Sequence, residues 1–294
     1  MDLDLTIFIP TYKRTVLLQS CIKSIRRSLC NSEIRYEILI VNESTVALNL
    51  TNEDVIIFNP KKELMPCEAM YVALLNAKGK YFLRIDDDNE INSDLVSSLY
   101  NYISNHRDVA YCGALGIRED GTISNPGTIF SKTFKFSLRK RIIGFNEYDV
   151  DVVDNVYIMN PGLIDLNNFH LSCKFFPWSF EDGYDQLRLK KNYKIMVLPT
   201  AKTIHHIHSN GLNLKQIYHY GRSKFLMYRN IFKFPYLKSL VLCLISSLLI
   251  PYIYSTDKPN IRELLLAYRH YIKGLKDGIK FMKKNESVEL FRDK

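Results

Sequence analysis

Residues 77–95 read Ala-Lys-Gly-Lys-Tyr-Phe-Leu-Arg-Ile-Asp-Asp-Asp-Asn-Glu-Ile-Asn-Ser-Asp-Leu. Tyr81–Ile85 is a strand-length, largely β-branched and aromatic run, and three carboxylates follow it at once. Ser93 then stands as the predicted N-cap of a helix over Ser93–Ile103. Upstream, Leu5–Ile9, Tyr36–Val41 and Val55–Phe58 have the same strand character. Between the first two, Thr15–Leu29 carries Val16, Leu17, Cys21, Ile22, Ile25 and Leu29 at helical spacing, and Met65–Ala77 reads as a further helix. Strands alternating with helices predict an α/β fold: a Rossmann-like, mostly parallel sheet with helices on both faces. In such sheets ligands bind at the carboxyl ends of the strands.

The polar residues cluster at those ends. The first strand runs into Pro10-Thr11-Tyr12-Lys13-Arg14, the second into Asn42-Glu43-Ser44, the fourth into Asp86-Asp87-Asp88-Asn89. No GxGxxG follows the first strand and no GxxxxGK[ST] occurs, so neither a dinucleotide nor a P-loop site is expected. Asp86 and Asp88, as alternate members of the triplet, can aim at one hard cation or at sugar hydroxyls. Such a cluster repels itself unless a cation or hydrogen-bond donors neutralise it. The plainer reading is a solvated acidic turn.

Charge is divided unevenly. The formal net charge is +9 over 294 residues, with 40 Lys and Arg against 31 Asp and Glu. From Lys215 onward there are 16 basic and 6 acidic residues, which leaves residues 1–214 with 24 and 25. A near-neutral body, residues 1–214, therefore precedes a basic region, residues 215–294. The acidic N-terminus is unlike a signal peptide. The six cysteines are scattered without metal or redox spacing, four of them in apolar surroundings, which favours a reducing compartment. The strongest apolar run, Leu240–Ile250, is about half of what a bilayer span needs.

The strand-end motifs, in their order and spacing, resemble the family 2 glycosyltransferases of the GT-A fold. The matching pieces are Ile9–Arg14, Val41–Ser44, Ala77–Tyr81 and Ile85–Asp88 followed by Ser93-Asp94-Leu95. The likeness continues through Asn160-Pro161-Gly162, Phe180–Leu189, Pro199–His205 and Tyr228-Arg229-Asn230, over about residues 5–230. The last of these recurs in bacterial members that build surface polysaccharides, especially rhamnosyl- and galactofuranosyltransferases. The resemblance implies transfer of a sugar from a nucleotide-diphosphate donor, with Asp182 as catalytic base and Asp88 and His205 holding a divalent cation, Mn²⁺ or Mg²⁺. It assigns Pro10, Thr11, Tyr12, Arg14, Glu43, Asp86 and Asp87 to the nucleotide-sugar, and Trp178 and Glu181 to the acceptor.

The residues themselves support those roles. A departing nucleoside diphosphate gains charge that a cation stabilises, and an attacking hydroxyl needs a carboxylate to take its proton. Asp182 opens an amphipathic helix, although Glu181-Asp182 would equally suit ordinary acids at a helix N-terminus. On an extended strand His206 and His208 face opposite to His205, so His206 rivals His205 as the ligand. Trp178 would stack on a sugar or fill the core. Two departures from the family pattern stand out: Asn42-Glu43 replaces two aspartates, which leaves the nucleotide preference open, and Met70-Tyr71 replaces an Arg-Asn pair.

After Lys215 helices take over. Asn260 caps a predicted helix over Asn260–Lys284, with Ile261, Leu264, Leu265, Tyr268, Tyr271, Ile272, Leu275, Ile279 and Met282 at helical spacing and a stripe of Arg262, Arg269, Lys273, Lys276, Lys280 and Lys283. Such a helix suits an anionic membrane surface or a packed helix with a solvated basic face. The expectation is a metal-dependent, inverting glycosyltransferase, cytoplasmic and peripheral on the inner face of the cell membrane. Its partners would be a nucleotide-sugar donor, a lipid-linked glycan acceptor and anionic lipid, without nucleic acid; a homo-oligomer stays open. The alternatives are a non-catalytic basic membrane- or nucleic-acid-binding protein on the same fold, and a polyprenyl-phosphate sugar synthase.

Overall fold

The computed structural model of the chain describes residues 3–50, 54–135, 137–139, 146–206, 213–248 and 260–285. His208, weighed above, and the end of the Leu240–Ile250 run lie outside them. The first part follows the predicted alternation: β1 (Leu3–Thr11), α1 (Thr15–Leu29), β2 (Tyr36–Asn42), β3 (Ile56–Phe58), α2 (Pro66–Asn76), β4 (Gly79–Ile85), β5 (Asn89–Ile91) and α3 (Leu95–Asn105). Strands β6 (Val109–Ile117), β7 (Ile123–Asn125), β8 (Thr128–Phe130), β9 (Ser137–Arg139), β10 (Tyr148–Asp149) and β11 (Val156–Met159) follow. Then come α4 (Leu166–Phe175), α5 (Glu181–Leu189), β12 (Lys194–His205), α6 (Leu214–Leu226), α7 (Tyr236–Ser247) and α8 (Ile261–Lys284).

The main sheet runs β10-β12-β6-β11-β4-β1-β2-β3. The β3-β2-β1-β4 half is parallel, and Thr11 pairs with Asn42 so that β1 and β2 end at one level. Strand β11 is inserted antiparallel between β4 and β6, and β12 returns parallel to β6. The sheet is thus mostly parallel, with an antiparallel strand at its centre that the alternation alone does not foretell. Helix α1 turns Leu18, Cys21, Ile22, Ile25 and Leu29 into a core shared with β1, β2, β4 and α3. Each such fully buried aliphatic side chain contributes about 1.5–3 kcal/mol.

Ser93 does not cap α3. The helix starts after Asp94, whose side chain makes no capping bond, and the Ser93 hydroxyl donates to the Asp94 carboxylate at 2.7 Å. At α8 the expected cap is present: the Asn260 side chain accepts from the Glu263 N–H at 3.0 Å, and Glu263 accepts from the Asn260 N–H at 3.0 Å.

The chain forms two compact units. One is Met1–Phe169 with Asp185–Ile207; the other is His170–Tyr184 with His208–Lys294. In the second, α8 crosses α6 with backbones in close approach. A Cβ on Gly274 would lie 2.0 Å from the Tyr218 carbonyl oxygen, and one on Gly221 2.4 Å from that of Tyr271. Helix α6 runs on into a π-helical turn, Met227–Ile231. The six cysteines are free thiols, all buried except Cys30. No helix among the described residues is long and apolar enough to cross a membrane.

Candidate active site

The carboxyl ends of β1, β2 and β4 bring together most of the residues that the motifs single out. The Thr11 hydroxyl, buried at the end of β1, donates to Asp87 at 2.6 Å. Arg14, three residues on and just ahead of α1, reaches Asp87 at 3.1 Å and Asp88 at 2.6 Å through Nη1. The chain turns there through Lys13 with φ 59°, which aims Arg14 back at the acids. Asp86 is paired differently: Arg84 Nε donates to it at 2.8 Å. The expected self-repulsion of the triplet is therefore relieved by two guanidinium groups and a hydroxyl.

Glu43 enters the group from β2, its N–H donating to the Thr11 carbonyl at 2.8 Å. Burial pushes its carboxyl up to about 8; Arg84 and Arg14 oppose the shift, Asp86 and Asp87 add to it. Burial likewise lifts Asp87 to about 6 against the pull of Thr11 and Arg14. Asp88 ends below the ordinary carboxylate range: burial raises it, and His205 and Arg14 outweigh burial. Asn42 turns away from this group, donating to the Val46 carbonyl at 2.7 Å and the Asn59 side chain at 2.8 Å, and so shapes the loop after β2. Tyr12 is partly exposed and donates to Glu63 at 2.8 Å, while Pro10 pairs with Val41 inside the sheet.

At the end of β12, the ring of His205 lies 3.6 Å from Asp88 through Nε2. The contact with Asp88 raises its pKa, against burial. The His206 ring goes elsewhere, to Glu119 at 2.6 Å and Glu90 at 3.7 Å. A bulge in β12 between Leu198 and Lys202 resets the alternation before these histidines, and β5 then pairs with β12, Asn89 opposite His205. Asn89 donates to Asp88 at 3.1 Å and accepts from Thr203 at 3.1 Å. Asp88 and His205, one carboxylate and one imidazole, are of the types that would hold a Mn²⁺ or Mg²⁺ ion. Among the described residues no three His, Cys, Asp or Glu side chains converge as a complete protein-made cage.

Arg84 falls outside the motif pieces, and Asn89 and Thr203, though inside them, have no role in the motif reading. Arg84 had a signal: it is the one charge inside the apolar strand Tyr81–Ile85, two residues before Asp86 and so on the same face of the strand. It is 6% exposed and lies over the Tyr157 ring, 6.0 Å from its centroid. Asn89 and Thr203 carried none, because only the pairing of β5 with β12 joins them.

The segment with Trp178, Glu181 and Asp182 belongs to the second unit. Arg222 on α6 donates to the carbonyls of Lys174 and Phe175, each at 2.7 Å, and Ser223 donates to the Trp178 carbonyl at 3.2 Å. The Trp178 ring is flanked by Lys215 Nζ at 5.7 Å and the His219 ring at 6.1 Å. Burial, with help from Arg222 and Lys215, pushes His219 down to about 4, so this ring is neutral at physiological pH. Ser179 and Phe180 both have positive φ, 65° and 68°, a strained pair for residues other than glycine. Phe180 is anchored by stacking on Tyr220 at 5.5 Å. Glu181 and Asp182 follow at once, in the first turn of α5.

A mostly parallel α/β sheet with acids, arginines and a histidine gathered at its strand ends defines a GT-A-like fold with a site of the kind that handles phosphorylated sugars. The chain belongs to glycosyl transferase family 2, whose family model matches residues 6–159. No curated protein matches the sequence. Among solved structures, the fold is similar to Staphylococcus aureus TarS, at 16% identity and TM-score 0.55 over 95% of this chain and 49% of that one. TarS residues 1–349 match at 15% identity and TM-score 0.53, over 97% of this chain and 91% of that one. The same fragment in complex with UDP-GlcNAc matches at 14% and 0.54, over 97% and 92%. The chain thus spans about half the length of the longer TarS chain.

Proposed function

We propose that the protein transfers a sugar, with inversion, from a UDP- or dTDP-sugar to a hydroxyl of a lipid-linked or cell-surface glycan. The observation that carries this reading is the cluster of Thr11, Arg14, Glu43, Asp86, Asp87 and Asp88 at the strand ends, faced by His205, in a family 2 chain. The UDP-GlcNAc complex of the similar TarS fragment supports a uridine nucleotide as the donor class. Glu43 and Asp86 contact the nucleoside, with Thr11 and Arg14 fixing the acids around it. Asp88 and His205 would hold a divalent cation, which would supply positive charge to the departing diphosphate.

Asp182 takes the proton from the acceptor hydroxyl as its oxygen bonds to the anomeric carbon, and the bond from that carbon to the diphosphate oxygen breaks. One displacement of this kind inverts the anomeric centre and forms no covalent enzyme intermediate. Trp178 and Glu181 bind the acceptor sugar.

The test pairs a screen of UDP- and dTDP-sugars, with and without Mn²⁺, with Asp182→Asn. Transfer by the wild type should need one nucleotide class and the cation. The variant should lose about 10²- to 10⁴-fold in turnover, the worth of a general base, while binding donor and melting as the wild type does. Near-normal turnover of a folded Asp182→Asn protein ends the base assignment, and absence of transfer or donor hydrolysis from every donor ends the functional reading.

A further inference from the structure

Helix α7 is turned inside out. Its buried face is Ser239, Leu242, Cys243, Ser246 and Ser247. Two of its hydroxyls bond back to their own helix, Ser246 to the Leu242 carbonyl at 2.7 Å and Ser247 to the Leu244 carbonyl at 2.6 Å, and Ser239 bonds to the Pro235 carbonyl just ahead of it at 3.1 Å. The outward face is Leu237, Val241, Leu244, Ile245 and Leu248, which are 45–69% exposed and follow one another at helical steps as one stripe. Scattered exposed aliphatics are ordinary; a whole helix face of them beside buried serines is not.

The same unit continues the pattern at the start of α8, where Ile261, Leu265 and Leu266 are exposed. The opposite side of α8 is already used: Ala267, Tyr271, Gly274, Leu275, Gly278 and Met282 are buried, the glycines against α6. Leu265, Tyr268 and Ile272 line an open groove of about 600 Å³ whose remaining described walls are Arg269, Lys273 and Lys276. Between residues 213 and 285 the described residues include 13 Lys and Arg but only two acids, Glu263 and Asp277. Both acids are engaged, Glu263 capping α8 and Asp277 accepting from the Tyr218 hydroxyl at 3.0 Å.

We propose that the outward face of α7 and the exposed residues of α8 dock the protein in the interface of an anionic lipid bilayer. The α7 stripe enters the acyl boundary, and Arg262, Arg269, Lys273, Lys276 and Lys280 meet lipid phosphates. Charge complementarity selects this occupant. In a two-fold dimer through the same surface, each basic row would face its own copy, a costly arrangement. Nucleic acid would satisfy the charge but leave the aliphatic stripe wet. Among the described residues α7 has 12 residues, about 18 Å of helix, which is short of a bilayer span. This inference stands independently of the transferase reading.

The experiment is co-sedimentation of the full chain with vesicles of phosphatidylcholine, alone or mixed with phosphatidylglycerol, over a salt series. Binding should require the anionic lipid and weaken with salt. Val241→Ser with Leu244→Ser should lower partitioning about tenfold or more, and Arg269→Glu with Lys273→Glu about tenfold or more, both without a change in melting. Leu237→Trp should give a fluorescence signal quenched by brominated acyl chains. Equal binding to neutral and anionic vesicles, wild-type partitioning by either folded variant, or an unquenched Leu237→Trp signal overturns the proposal. So does a dimer broken by Val241→Ser/Leu244→Ser in a protein that ignores vesicles.

Discussion

Glu43 offers the sharpest test of the electrostatics at the strand ends. Its carboxyl titrates at about 8 in the folded protein against an ordinary 4.5, first because burial disfavours the anion and then because Asp86 and Asp87 stand near it. Between those values the folded state keeps a proton that the unfolded chain releases. The stability this confers is full below about 4.5 and is lost as pH rises through about 8. Converted at 1.36 kcal/mol per pH unit, the full shift corresponds to about 5 kcal/mol. Glu43 is only half-buried, so solvent screening cuts that to about 2 kcal/mol. For a chain of this size that is about 3 °C in melting temperature.

The perturbation is Glu43→Gln, which removes the titration and keeps one acceptor and one donor in place of the protonated carboxyl. Thermal unfolding of both proteins from about pH 5 to about pH 9 isolates the residue, because Asp87 and Asp185, both lifted to about 6 by burial, titrate alike in each. The wild type should lose about 2 kcal/mol relative to the variant across that range. The variant should hold a pyrimidine nucleotide within a few-fold of the wild type near pH 5, where the carboxyl keeps its proton, since an amide matches the neutral acid in pattern. Parallel melting curves across the range would refute the reasoning, because they would mean that Glu43 is ionised throughout.

His205→Ala should raise the Mn²⁺ concentration needed for half-maximal transfer by about tenfold or more, while His206→Ala, whose ring faces Glu119 and Glu90, should leave it near wild type; the reverse order would move the ligand role to His206. Gly274→Ala should destabilise the crossing of α6 and α8 by about 3 kcal/mol or more, because the added carbon lies about 1.4 Å inside ordinary contact with the Tyr218 carbonyl. Calorimetry would show this as a lowered transition, and an unchanged profile would refute the close approach.

Local pattern sufficed for much of this protein. The strands at Leu5–Ile9, Tyr36–Val41 and Tyr81–Ile85 and the helices between them were legible because period and turn residues are written within ten or fifteen positions. The acids at the strand ends were legible because a parallel sheet sends its loops to one edge. Ser93 misled, since a serine ahead of an apolar run satisfies the rule for an N-cap whether or not the chain begins its helix there. Arg84 was passed over inside an apolar strand because its value depends on Asp86 lying on the same face beside Glu43.

What the sequence determined alone was the class of fold, the family motifs and the division of charge, all of which are properties of near neighbours in the chain. Only the tertiary structure decided which acids each arginine neutralises, that the ring of His205 rather than that of His206 faces the Asp88 carboxylate, and that Trp178 and Asp182 ride with the C-terminal helices. It also decided which side of α7 faces out. Periodicity shows that a helix has two faces; which of them is buried depends on what the rest of the chain packs against it, and at α7 the chain packs against the serines.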